Sequence, residues 1–155
     1  TPPVTAEYGR ATRPGKEPFR DFKVTLWRWR DDIQNDFAAR MDWTVKPYGE
    51  ANHPPVPGLS HPDAITVRSG ETFVLDAHPT TDPDGDSVSF FWFPYPEAGS
   101  YKGTVRINAP ENAVTASVTA PKVDKPETLH FILRVTDRGT PPLSRYKRII
   151  VTVTP

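Results

Sequence analysis

Cysteine is absent from this 155-residue sequence. That excludes thiolate nucleophiles, Cys-ligated zinc and disulfide staples, but it leaves the redox compartment open because secreted bacterial domains often lack cysteine too. Charge of one sign is also lacking: 19 Lys and Arg balance 19 Asp and Glu. Without a net field or a basic cluster, nothing attracts nucleic acid or an anionic membrane. No apolar run approaches the roughly 18 residues a bilayer-spanning helix needs. The chain opens on TPPV with neither methionine nor signal peptide and reads as a piece of something longer. Its length accommodates one domain with a real core, plus an extension.

What the sequence does have is 19 prolines and 9 glycines spread along its length, which punctuate short extended segments and argue against an all-helical fold. Residues 1 to 22 carry turn formers and charges with almost no aliphatic side chains, and read as a flexible leader. Between 23 and 45, Leu26, Trp29, Ile33, Phe37 and Met41 recur at steps of three and four. This spacing predicts an amphipathic helix over 25 to 41 with those residues on one face. Arg28 with Asp32 and Asp36 with Arg40 add i,i+4 support. Residues 46 to 62, KPYGEANHPPVPGLSHP, hold five prolines and are expected to form a connection without helix or paired strand.

From 63 to 155, seven short β-type runs follow at regular intervals: 64–67, 72–77, 87–93, 105–108, 113–119, 128–136 and 147–153. Seven short antiparallel strands in about 90 residues predict a mainly β, immunoglobulin-like sandwich. Period-two alternation assigns the core to Phe73, Leu75, Ala77, Val88, Phe90, Trp92, Val114, Ala116, Val118, Leu129, Phe131, Leu133, Val135, Ile149, Val151 and Val153. Phe91, Phe93, Ile132 and Ile150 alternate onto the opposite face, which makes that face apolar as well. Burying four such side chains is worth roughly 6 to 12 kcal/mol, so something must cover them. The 25–41 helix is the expected cover.

Three motifs could carry chemistry. In DPDGD, Asp82, Asp84 and Asp86 surround a turn glycine. The leading reading is a strand connection in which the aspartates bond local amides; calcium on these three carboxylates is the alternative, although the EF-hand's later ligands are missing. Nucleoside hydrolases also use an aspartate-rich loop, but theirs leaves the first strand of a large α/β domain toward a helix, whereas this one lies between two β runs. The second motif is the connection PYPEAGSYKG, where Tyr95 and Tyr101 flank Glu97 and Lys102. Aromatic faces for sugar rings and polar groups for hydroxyls make these four the candidate carbohydrate-binding residues; the alternative is that the tyrosines pin the loop to the sheet. Third, His53, His61, His78 and His130 lack metal-ligand spacing, and no GxSxG elbow marks a nucleophile. No catalytic residue and no cofactor are expected in this segment.

LDAHPTTDPDGDSVSFFW and VTDRGTPPLSRYKRIIVTV resemble polycystic-kidney-disease-type and cadherin-like immunoglobulin folds. WRWRDDIQNDFAARMDW, NHPP and YPEAGSYKG resemble the C-terminal region of a bacterial family described as cellulose-binding, in which a nucleoside-hydrolase-like domain precedes an immunoglobulin-like one. The resemblance covers residues 27 to 153. It implies a non-catalytic, extracytoplasmic accessory module, with any hydrolase-like chemistry in the preceding domain. Two functions follow: binding β-linked polysaccharide, or docking on that preceding domain to orient it. A monomer is expected, with no nucleic-acid or membrane partner.

Overall fold

The computed structural model describes residues 29 to 155. The leader and the first part of the expected helix, with Leu26, Trp27 and Arg28, lie outside the described residues. Helix α1 (Arg30–Val45) starts with Asp31 and Asp32 in its first turn, where carboxylates complement the helix dipole. It ends where Lys46 turns extended ahead of Pro47. Asp36 pairs with Arg40 at 2.7 Å and Asp42 with Lys46 at 2.9 Å, both i,i+4.

Seven strands follow: β1 (Ala64–Arg68), β2 (Thr72–Asp76), β3 (Val88–Pro94), β4 (Ile107–Asn108), β5 (Thr115–Thr119), β6 (Glu127–Asp137) and β7 (Ser144–Thr154). They form two sheets, ordered β1-β7-β6-β3 and β2-β5-β4. This is the expected immunoglobulin-like sandwich, with two departures. β1 pairs with β7 in parallel, Ile65 opposite Val151, and not antiparallel. Parallel neighbours need a long crossover, and here the whole intervening sandwich supplies it. β4 keeps only two residues of the expected 105–108 run; Val105 still packs against the core.

The core between the sheets follows the alternation. Val67, Phe73, Leu75, Phe90, Trp92, Val118, Leu129, Phe131, Leu133, Val135, Ile149, Val151 and Val153 are buried in one cluster, with Val88 and Val114 partly buried against it. Trp92 is 1% exposed, and its indole N–H donates to Ala113 O at 2.9 Å, so burial leaves no polar group unsatisfied. The 46–62 connection is more ordered than its prolines imply. It makes a 3₁₀ turn (Tyr48–Glu50) and one β-bridge, Val56 to Thr81. Trp43 fastens it to α1 by donating to Asn52 O at 2.8 Å, with the indole stacked on His53.

Helix α1 sits against the outer face of the β3-β6-β7 sheet, but not by the expected face. Of the described residues of the predicted stripe, Trp29 packs its ring on the sheet, 6.4 Å from Phe93 and edge-on to Tyr146 at 5.0 Å. Ile33, Phe37 and Met41 are 53%, 63% and 47% exposed. The docked face is instead Trp29, Asp32, Asp36, buried Ala39 and Trp43. Asp32 accepts from Ser144 Oγ at 2.8 Å and from Tyr146 OH, and Asp36 pairs with Arg145 at 3.1 Å. Hydrogen bonding to β7, rather than burial of the apolar stripe, sets the helix's rotation.

Candidate functional site

Between α1 and the sheet runs an open groove of about 730 Å³, lined by Trp29, Asp32, Ile33, Asp36, Arg40, Tyr95, Ile132, Ser144, Arg145 and Tyr146. Three aromatic rings share it with two carboxylates and two guanidinium groups. The Arg40 hydrogen bond and, after it, Arg145 hold the Asp36 carboxyl below its ordinary range against the opposing effect of burial. Burial and the hydrogen bond to Asp32 push the Tyr146 phenol well up, so it remains a hydroxyl donor at any ordinary pH. The groove therefore offers ring faces beside fixed, charged hydrogen-bonding groups.

Of the four residues singled out in the 94–103 connection, Tyr95 alone lines this groove. The loop folds back on β6. Tyr95 N–H donates to His130 O at 2.7 Å, Tyr101 N–H to Thr128 O at 3.3 Å and Ser100 N–H to Thr128 Oγ1 at 3.0 Å. Gly99 lies so close to Thr128 that a Cβ would fall 2.6 Å from its carbonyl oxygen, so no larger residue fits. Lys102 Nζ donates to Pro96 O at 3.2 Å and Gly99 O at 2.6 Å, drawing the loop closed. Tyr101 is partly buried against the core, and Glu97 is exposed on the loop. The loop thus presents Tyr95 to the groove, while Tyr101 and Lys102 hold the loop's shape.

Asp82, Asp84 and Asp86 do come together, with one carboxylate oxygen from each within 4.8 Å of the others. Much of this geometry serves the turn. Asp82 Oδ1 accepts from the amides of Asp84 and Asp86, both at 3.0 Å, and Gly85 takes φ +77, which glycine adopts without strain. Asp84 reaches out to the connection, accepting from His53 N–H at 2.6 Å. Two features remain after this accounting: Asp82 Oδ2 is buried without a partner, and the Asp86 carboxyl is pushed up by desolvation and by Asp82, Asp137 and Asp84. If the domain holds a hard cation, these three carboxylates are the ligands it would use.

Sequence reasoning missed Asp32, Arg145 and Tyr146. Tyr146 shares outward parity on β7 with Ser144, which alternation could have shown. The pairing with Asp32 is a contact across 114 positions that no local pattern carries.

Residues 72–153 match the family model described as cellulose-binding protein Sde0182, C-terminal domain. The chain belongs to that family. Among solved structures, the chain is similar to a nucleoside hydrolase-related hypothetical protein from Saccharophagus degradans that is associated with carbohydrate metabolism. The TM-score is 0.77 at 38% identity, covering 82% of this chain and 32% of that one. The chain thus spans about a third of that protein's length. A 2,6-sialyltransferase from Photobacterium sp. JT-ISH-224 matches with TM-score 0.44 at 14% identity over 59% of this chain and 17% of its own. The protocadherin GammaB4 extracellular domain matches with TM-score 0.37 at 18% identity over 64% and 17%. Comparison with curated proteins gives no match. Among the described residues, no helix is long and apolar enough to cross a membrane.

Proposed function

We propose that this domain is a non-catalytic, extracytoplasmic accessory module that holds β-linked polysaccharide of the cellulose type for a larger protein. The observation that carries this reading is the groove in which Tyr95 meets Trp29, Tyr146 and the charged pairs of α1 and β7. Ring faces stack on the apolar faces of β-linked sugars, while Asp32, Asp36 and Arg145 stand where hydroxyls need acceptors and donors. The family description, cellulose-binding protein, points the same way. Glu97 and Lys102 belong to the site through the loop that carries Tyr95, Glu97 at its exposed rim and Lys102 as the closure. Tyr101 supports the same loop from the core side.

Retention on microcrystalline cellulose, with a soluble β-glucan and a nucleoside as comparators, tests the reading. Tyr95→Ala should weaken retention about tenfold, equivalent to about 1.4 kcal/mol, with an unchanged melting temperature. Tyr101→Ala should lower the melting temperature as well, because that ring packs on the core. A folded Tyr95→Ala protein that binds like the parent removes the groove as the site. A parent that no β-glucan retains removes the polysaccharide reading altogether.

A further inference from the structure

Ile33, Phe37, Met41 and Val45 follow one another at steps of four along α1 and are 53%, 63%, 47% and 80% exposed. The helix is already anchored on its other side, so this stripe plays no part in holding the module together. Isolated apolar side chains on a surface need no explanation, but four in a continuous row along a 16-residue helix form a patch of the kind that marks a contact site.

The size of the patch selects its occupant. A helix of this length is about 24 Å long and about 10 Å wide, so the stripe offers a few hundred Å² at most. A free partner needs about 800 Å² per side for a stable specific complex, which a second copy meeting this one stripe to stripe would not supply. A tethered partner does not need as much, because a short linker holds it at millimolar effective concentration and interfaces between domains of one chain are correspondingly small. Such a partner is at hand in the family: the Saccharophagus degradans relative has about two thirds of its length beyond the part this chain matches. The match also takes in 82% of this chain, more than the 63–155 sandwich occupies, so it includes chain ahead of the sandwich.

We propose that the Ile33, Phe37, Met41 and Val45 stripe is the seat on which the remaining part of the full-length protein, the counterpart of the two thirds of the relative beyond this match, docks through an apolar patch of its own. The stripe borders the groove at Ile33, so docking there places the companion domain beside the proposed glycan site. This inference stands independently of polysaccharide binding.

The absence of cysteine supplies a clean reporter. Phe37→Cys, Ile33→Cys and, on the far sheet, exposed Val74→Cys are each labelled with a maleimide and read by peptide mass, in the full-length protein and in the 155-residue chain. The expected result is labelling at positions 33 and 37 at least tenfold slower in the full-length protein, with equal rates at 74. Phe37→Glu in the full-length protein should restore fast labelling at Met41→Cys. Equal rates at 33 and 37 in both proteins would overturn the proposal. Slow, concentration-dependent labelling in the 155-residue chain would assign the stripe to a second copy, and protection appearing only with added cello-oligosaccharide would assign it to glycan; either result overturns docking.

Discussion

Replacing Asp32 tests how α1 is held. One carboxylate accepts from Ser144 Oγ at 2.8 Å and from Tyr146 OH, two side-chain hydrogen bonds from the helix to β7. Hydrogen bonds to a charged acceptor contribute about 1.5 to 3 kcal/mol each. The two are not equal in Asp32→Ala, however. Ser144 keeps Thr136 Oγ1 at 2.8 Å, and Tyr146, 37% exposed, can turn its hydroxyl to water. The net loss is therefore about 1.5 to 3 kcal/mol for the pair together, roughly a 10- to 150-fold fall in helix protection. It should be local, because no α1 residue belongs to the sandwich core. Amide hydrogen exchange reads this directly: amides of 30 to 45 lose protection by that factor, while those of β6 and β7 facing the core keep theirs. Asp32→Asn, which retains an acceptor without charge, should lose about half as much free energy. Unchanged protection of the helix in Asp32→Ala would refute the reasoning, because the apolar and ring contacts would then suffice. An equal loss across the sandwich would refute it as well, since the helix would then be part of the cooperative core.

Acid should release α1 before it unfolds the sandwich. The folded Asp36 carboxyl is depressed, so its contribution is complete above the unfolded value near pH 4 and is lost as pH falls through the lower folded value. Exchange or tryptophan emission that shows the helix unaffected at pH 3 would contradict this. Asp86 has the opposite sign: its carboxyl is raised, so its ionisation opposes folding above the folded value, and Asp86→Asn should raise the melting temperature slightly at neutral pH, low salt and excess EDTA. Calcium should shift the parent's melting temperature only modestly, because Asp82 and Asp84 already serve backbone amides. A steep, saturable rise with calcium would make the cluster a structural metal site.

The sandwich was legible in the sequence because a strand buried on one face repeats every two residues; β2, β5 and β6 keep that period throughout, and β3 and β7 depart from it only at Phe93 and Ser144, which are buried on the outer face. Phe131, Leu133 and Val135 could be assigned inward from β6 alone, and they are fully buried. The parallel pairing of β1 with β7 was not legible, because alternation gives the face of a strand and not the direction of its neighbour. The 94–103 loop shows a second limit. Two tyrosines in one short segment read alike, yet β6 fixes the loop so that Tyr95 faces the groove while Tyr101 packs on the core. That division follows from hydrogen bonds to Thr128 and His130, more than 25 positions away, and a local pattern carries no record of them.

Helix α1 shows why an apolar stripe need not be the buried face. Its sequence carries two interleaved patterns. One is Ile33, Phe37, Met41 and Val45 in steps of four; the other is Trp29, Asp32, Asp36, Ala39 and Trp43 in alternating steps of three and four. A hydrophobicity count selects the first, because two aspartates dilute the second. The surface opposite decides otherwise. The outer end of β7 presents Ser144, Arg145 and Tyr146, three donors that need acceptors, and leaving such groups unmatched against an apolar helix face costs more than leaving apolar side chains in water. The aspartates therefore turn inward, with small Ala39 allowing close approach and Trp43 anchoring the helix to the connection. The same rotation builds the groove and exposes the stripe. A helix fixed by polar contacts on one side keeps its apolar side available for a partner, so the two proposed surfaces of this domain have a single structural cause.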